Sequence, residues 1–149
     1  MTAGVVVLLR DPRGIAGEFT RRPAAVSVTV VVVFLGLVAL YCRALQRTLA
    51  VVRPDARTVA PASVWWMFAV PFNFAEDFFI VRNVTGSLAA DGRIPARAVG
   101  RWSALGYGWC GLQIVSLFPG AIGYAGGSLA LPVWAAHWYL TSRLNRTLG

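Results

Sequence analysis

The chain has 149 residues, of which 57% are hydrophobic and only 13% are charged. Soluble domains average about 25% charged residues, so this composition excludes an ordinary soluble domain and indicates that lipid surrounds much of the chain. The net charge is +8 and all fourteen basic residues are arginine. They lie between the apolar segments and form no single patch, which argues against nucleic acid as a partner. The length indicates one domain, residues 1–149.

The first apolar segment, residues 24–42, has nineteen residues without a charge. At 1.5 Å per residue it is long enough to form a transmembrane helix. A signal peptide is disfavoured because the apolar region is long and no small-residue cleavage site follows it. Arg43 and Arg47 lie four apart on one helix face. We therefore predict a helix over about residues 24–47.

The second apolar segment, residues 64–83, differs from the others because polar side chains interrupt it. At 100° per residue, Asn73, Glu76 and Asp77 fall on one arc of about 100° of a helix. A carboxylate at bilayer depth costs roughly 2.5–3.5 kcal/mol, so these groups need partners from other helices. We interpret Asn73, Glu76, Asp77 and Gln113 as a candidate polar intramembrane site. The alternative is a shallow helix whose two acids face water at the membrane surface.

Two topologies are consistent with this segment. If about residues 62–88 form one helix that includes the acids, the protein is an all-α bundle of four transmembrane helices. Val64 to Ala75 alone covers only about 18 Å, whereas a hydrocarbon core is about 30 Å thick. The alternative is therefore three spans plus one re-entrant or interfacial helix. We predict four spans, because a tryptophan pair and Arg82 flank the segment at opposite ends.

The remaining apolar segments predict two more transmembrane helices, over about residues 100–118 and 121–145. A tight turn at Pro119-Gly120 joins them into an antiparallel hairpin. Small residues let membrane helices approach closely, and both segments are rich in glycine. The glycines expected to serve helix packing are Gly106, Gly108, Gly111, Gly123 and Gly127.

Few residues are of the types that carry chemistry. Cys42 and Cys110 lie in apolar segments without a CxxC spacing, and they are interpreted as small buried hydrophobic side chains. The one histidine, His137, precedes Trp138 and Tyr139 and is expected at a membrane interface. A single histidine argues against a haem or metal site within one subunit. The sequence therefore predicts no catalytic, metal or cofactor site and no enzyme activity.

The arginines also predict an orientation. With four spans, ten arginines lie on the side of the two termini and the second connector, and four lie in the first connector. By the positive-inside rule, both termini are then cytoplasmic, in a bacterial inner membrane. Three spans again give ten against four, but with the amino tail outside. Charge counting therefore does not separate the two topologies.

The run APASVWWMFAVPFNFAEDFFIVRNVTGSL resembles a segment of small uncharacterised bacterial inner-membrane proteins. These share a Trp-rich start, a proline, an asparagine and a later basic position. The carboxy-terminal VWAAHWYLTSRLNRTL is similar to their terminal aromatic helix, so the likeness covers about residues 60–148. Glu76 and Asp77 depart from the pattern, which has uncharged residues there. The resemblance implies a four-helix inner-membrane protein and transfers no activity.

Three classes of function remain open from the sequence. We predict a non-enzymatic packing or accessory component of the membrane, whose partners are the lipid bilayer and a second copy or another membrane protein. The alternative is a small oligomeric transporter or channel that uses the polar stripe of the second helix. An enzyme acting on lipid would need converging His, Asp or Ser side chains at the interface, and the sequence suggests none.

Overall fold

The computed structural model describes residues 23–69 and 74–149, and all regular structure in this part of the chain is helical. The all-α prediction is therefore confirmed there. The α-helices are α1 (Ala24–Val51), α2 (Trp66–Ala69), α3 (Phe74–Asp91), α4 (Ala96–Val115) and α5 (Gly120–Leu148). Two short 3₁₀ helices, Pro54–Ala56 and Pro61–Trp65, lie between α1 and α2.

The predicted single helix over residues 62–88 is wrong, because α2 and α3 are separate elements. Later residues of the segment before α3 contact earlier residues of α1. The Trp65 Nε1–H donates to Gln46 Oε1 at 2.8 Å, and the Cys42 thiol contacts the Met67 sulfur at 3.5 Å. The segment between α1 and α3, described over residues 52–69 and called the connector, therefore runs antiparallel to α1.

A proline in the second segment gives the physical reason for the break. Pro71 lies between α2 and α3, outside the described residues. Proline has no amide hydrogen and its ring clashes with the preceding turn, so it disfavours one continuous helix. Earlier in the connector, the Thr58 hydroxyl donates to the Asn83 carbonyl at 2.9 Å, and the Thr58 amide donates to Ser87 Oγ at 3.0 Å. The connector therefore packs along α3 as well as α1.

The carboxy-terminal ends of α1, α3 and α5 meet at one end of the molecule, which we call the arginine end. The Arg93 guanidinium donates to the carbonyls of Val51 at 2.6 Å and Leu148 at 3.2 Å. The Arg53 amide donates to Asp91 Oδ2 at 2.7 Å. Helices α1, α3 and α5 therefore run in the same direction, and α4 runs opposite to them.

All ten arginines of the described residues lie at this end. They are in the connectors or within nine residues of the helix ends that meet there.

The chain leaves α3 through Gly92 (φ 71°) and enters α5 through Gly120 (φ 70°), a backbone region that glycine adopts readily. The predicted tight hairpin between the last two helices is confirmed. The helix predicted over 100–118 begins and ends earlier, as α4 (Ala96–Val115). The helix predicted over 121–145 is longer at both ends, as α5, and the first helix continues beyond residue 47 to Val51.

Polar side chains lie inside the bundle and large apolar side chains cover much of its outside. In α1, Val28 and Val32 are 61% and 62% exposed. The buried polar side chains are Thr48, Asp77, Ser87, Asp91, His137, Thr141 and Asn145. Among the described residues, α1 is the one helix that is long and apolar enough to cross a membrane, and only 11% of its most apolar stretch is buried in the protein. An apolar helix exposed in this way is compatible with a membrane span.

Candidate functional site

The structure brings together two of the four predicted site residues, Asp77 and Gln113. The Gln113 amide donates to Asp77 Oδ2 at 2.9 Å, and Asp77 is only 8% exposed. Glu76 is half-buried at the neighbouring position. Asn73 lies outside the described residues. Asp77 therefore faces protein, whereas Glu76 is partly accessible.

Asp77 lies about halfway along the bundle. It precedes Asp91 by fourteen residues, which is about 21 Å of helix. Asp91 lies beside the end of α1, as its hydrogen bond to the Arg53 amide shows. The residue of α1 that lies about 21 Å from Val51 is Leu37, in the middle of this 28-residue helix. The carboxylate is thus level with the apolar part of α1.

A pocket of about 470 Å³ lies between α1 and the α4–α5 hairpin, next to this pair. Phe34, Trp109 and Trp134 form much of its wall, and Gln113 and Ser128 contribute polar groups. The Trp134 Nε1–H is buried and has no hydrogen-bond partner among residues 23–69 and 74–149. Ligand pockets of this size are mostly apolar with a few polar groups. The pocket therefore has the composition of a site for an apolar molecule.

His137 lies in the core of the bundle, so the expectation of an interfacial histidine is wrong. Its side chain is completely buried, and Nδ1 lies 2.8 Å from the Tyr41 hydroxyl. Its ring centroid is 4.4 Å from that of Trp102, whose Nε1–H donates to Thr141 Oγ1 at 2.8 Å. The Thr141 hydroxyl in turn donates to the His137 carbonyl at 2.8 Å. These bonds link α1, α4 and α5.

The buried polar groups of α5 form a stripe that sequence reasoning missed. His137, Thr141 and Asn145 are spaced by four residues and therefore share one helix face. The Thr48 hydroxyl donates to Asn145 Oδ1 at 2.7 Å, and Asn145 Nδ2 donates to the Ala44 carbonyl at 2.9 Å. The spacing was the available signal, and it indicates a polar contact between α5 and α1.

Two of the predicted packing glycines lie where a side chain has no room. A Cβ on Gly106 would lie 2.9 Å from Val81 Cγ1 and 3.0 Å from His137 Nε2. A Cβ on Gly123 would overlap the Phe118 carbonyl oxygen. The first glycine lets α4 approach its neighbours, and the second lets the α4–α5 turn fold back on α5.

The other predicted glycines lie in more open surroundings. A Cβ on Gly108 would have its nearest neighbour at 3.9 Å, and one on Gly111 would have none within 4 Å. Gly127 lines the 470 Å³ pocket. A further close contact at the hairpin belongs to Gly126, which was not predicted and whose Cβ would lie 2.8 Å from Val115 Cγ1. Packing at the hairpin thus depends on Gly123, as predicted, and on Gly126 rather than Gly127.

A cluster around Asp91 closes the arginine end. The carboxylate accepts bonds from Arg93 Nε at 2.6 Å and from the Arg53 amide at 2.7 Å. The hydrogen bond from the Arg93 side chain holds the pKa of Asp91 well below its usual range. Because Arg93 also binds the carbonyls of Val51 and Leu148, it satisfies acceptors that helix ends leave unpaired.

Both cysteines are buried and free, at 0% and 1% exposure for Cys42 and Cys110. Their interpretation as small buried hydrophobic side chains is confirmed.

No protein-family model, curated protein or solved structure matches the chain. The resemblance over residues 60–148 therefore stays a prediction.

Proposed function

We propose that the protein is a multi-pass, non-enzymatic membrane component with three spans and one re-entrant hairpin. The observation that carries the proposal is the distribution of side chains, with a hydrogen-bonded polar interior and an apolar outside. In water, large contiguous apolar patches are association sites. In lipid, such a surface is solvated and polar groups must find partners inside the protein. Most of the buried polar side chains have such partners: the Tyr41 hydroxyl pairs with His137 Nδ1, and Thr141 and Asn145 donate to helix carbonyls. Among the described residues, Trp134 Nε1 and His137 Nε2 are buried without a partner.

The direction of the helices supports the re-entrant arrangement. Successive full spans alternate in direction, but α1 and α3 are parallel. The connector and α3 therefore enter and leave at the arginine end. The spans are α1, which is apolar enough by itself, and the α4–α5 pair, which buries polar side chains such as His137 and Thr141 and exposes Ile122 and Leu129. The positive-inside rule makes the arginine end cytoplasmic, because all ten arginines of the described residues are there. In this topology the amino tail is outside the cell and the carboxy terminus is inside.

The packing of the carboxy-terminal half of α1 supports its role as a permanent span. Tyr41, Cys42, Leu45 and Leu49 are completely buried against the rest of the bundle. The Thr48 hydroxyl also donates a hydrogen bond to α5. Removal of α1 as a signal sequence would expose this surface, so we propose that it stays in the mature protein.

A single-cysteine experiment tests this topology. The protein with Cys42→Ala and Cys110→Ala provides the background, and an impermeant thiol reagent is added to intact cells. We expect Asp55→Cys and Arg97→Cys to react only after the membrane is permeabilised, because both positions are exposed at the arginine end. Thr2→Cys should react in intact cells and serves as the opposite-side control.

Each alternative gives a different labelling pattern. A four-span protein would expose Asp55→Cys to the outside, with Arg97→Cys and Thr2→Cys inside. Recovery of the parent chain in the soluble fraction after cell lysis would contradict membrane insertion altogether. Alkaline carbonate extraction of the membranes separates inserted protein from protein that is only attached to the surface.

A non-enzymatic role is supported by how the reactive side chains are used. The His137 ring lies within hydrogen-bond distance of the Tyr41 hydroxyl and packs at a tilt against Trp102, and both thiols are packed in the core. These groups hold helices together, and the 470 Å³ pocket offers space for an apolar molecule or for a partner's side chains. We therefore propose that the protein acts by binding within the membrane.

A small transporter of protons or cations is a second candidate, favoured by the buried Asp77. From this carboxylate, polar groups continue along α1 and α5 to Asn145 at the arginine end. The side chains of Tyr41, His137 and Thr141 lie between these two points and are completely buried, so they are closed to water in this structure. Conduction would therefore require the helices to separate.

Proton flux into liposomes distinguishes the two candidates. Because the interior is closed, we expect the parent protein to show no flux above that of protein-free liposomes containing a pH-sensitive dye. A parent flux that Glu76→Gln with Asp77→Asn abolishes, and that Asp55→Asn preserves, would make the transporter the correct assignment. Asp55 is the matched control because its carboxylate is exposed in a connector.

A further inference from the structure

A basic groove lies between α1 and α5 at the arginine end, on the outer side of these helices. It has a volume of about 630 Å³. Its wall contains Arg43, Arg47 and Arg146 together with the polar side chains of Gln46 and Ser142. No carboxylate of the described residues is part of the wall. The groove is therefore a concave site with three positive charges.

The three guanidinium groups are not neutralised within the described part of the chain. Other arginines there do have acidic partners: Arg93 binds Asp91 at 2.6 Å, and Arg53 lies 4.0 Å from Asp55. Arg43, Arg47 and Arg146 are exposed and form no ion pair with any carboxylate of residues 23–69 or 74–149. Three like charges around one cavity favour an anion that bridges them.

An apolar track leads from the groove along α1 towards the other end of the molecule. At 100° per residue, Val33, Leu37 and Leu40 lie on the same helix face as Arg43 and Arg47. These three side chains are 56%, 39% and 52% exposed. A basic site that continues into a strip of exposed aliphatic side chains has the charge and polarity pattern of an amphipathic anion.

We propose that this groove binds the phosphate headgroup of an anionic phospholipid, with an acyl chain along Val33, Leu37 and Leu40. Arginine forks form paired hydrogen bonds with phosphate oxygens, and basic pockets between helices at the cytoplasmic side suit lipid headgroups. The inference rests on the proposed insertion of α1 into the membrane. It goes further by naming a ligand and the side chains that select it.

Lipid binding to the purified full-length protein tests the inference. The protein in neutral detergent is titrated with phosphatidylglycerol or phosphatidylcholine, and bound lipid is counted by native mass spectrometry. We expect the parent protein to prefer phosphatidylglycerol. Each arginine near an anionic headgroup contributes about fivefold in affinity, so Arg43→Gln with Arg47→Gln should weaken phosphatidylglycerol binding about thirtyfold. Arg146→Gln alone should weaken it about fivefold.

The control variant is Arg82→Gln with Arg97→Gln, which removes the same charge from exposed positions of α3 and α4. It should change phosphatidylglycerol affinity less than threefold. Equal loss in both double variants, or equal binding of the two lipids by the parent, would overturn the inference. Competition by inorganic phosphate at concentrations equal to those of the lipid would also overturn it, because the site would then bind a free anion. Failure of membrane insertion appears separately, as parent protein that stays soluble without detergent.

Discussion

Replacement of Gly123 by alanine should lower the free energy of unfolding by about 2–3 kcal/mol or prevent folding. Overpacking in well-packed sites typically costs about 1–3 kcal/mol, and here the added Cβ meets backbone. The obstacle is the Phe118 carbonyl oxygen, which lies on the turn between α4 and α5 and cannot rotate away as a side chain can. The turn would have to open, and the contacts between α4 and α5 would be lost with it.

Gly111→Ala is the matched control for this variant. A Cβ at Gly111 has no neighbour within 4 Å, and alanine is favoured over glycine inside a helix by up to about 1 kcal/mol. We therefore expect Gly111→Ala to be neutral or stabilising. Unfolding by sodium dodecyl sulfate in mixed micelles, followed by far-UV circular dichroism, gives both values. Equal effects of the two variants would show that the hairpin is looser than its contacts indicate.

Tyr41→Ala should be the other strongly destabilising substitution, with an expected loss of about 3–5 kcal/mol. Tyr41 is completely buried, and its ring lies 5.5 Å from Trp109 and 5.7 Å from Trp134, measured between ring centroids. It also carries the hydroxyl that contacts His137. Removal of this side chain leaves a cavity where α1, α4 and α5 meet.

A graded series separates packing from hydrogen bonding at this position. Tyr41→Phe keeps the ring but leaves His137 Nδ1 without its partner, which should cost about 1–3 kcal/mol. Tyr139→Ala is the control, because Tyr139 is 61% exposed and should contribute less than about 0.5 kcal/mol. If Tyr41→Phe is neutral, the Tyr41–His137 contact does not stabilise the bundle and the role of Tyr41 is packing alone.

Local pattern was enough to locate the helices and one polar contact. The apolar segments gave α1, α4 and α5, and the turn at Pro119-Gly120 followed from residue type. The partnership of Asp77 with Gln113 could be inferred because a buried carboxylate needs a donor and few amides lie in the apolar segments. Each of these features depends on residues that are close in sequence or on a scarce chemical group.

The features that were missed depend on tertiary contacts. Pro71 indicates a break in the second segment, but the direction of α2 depends on its packing against α1. His137 was assigned to an interface because tryptophan and tyrosine follow it, although its four-residue spacing from Thr141 indicated a shared buried face. Gly126 and Gly127 differ by 100° around the helix, so a single position decides which of them meets the neighbouring turn.

The unequal lengths of the parallel helices have a consequence for the membrane itself. Helix α1 is ten residues longer than α3, about 15 Å, and the two helices end together at the arginine end. Among the described residues, the cross-section there includes all the helices and the connector, whereas α3 and the described part of the connector do not reach the opposite end of α1. In the proposed topology, residues 23–69 and 74–149 therefore occupy more area in the leaflet at the arginine end than in the other leaflet. Such a shape should concentrate the protein where the membrane curves, with the arginine-side leaflet on the convex face.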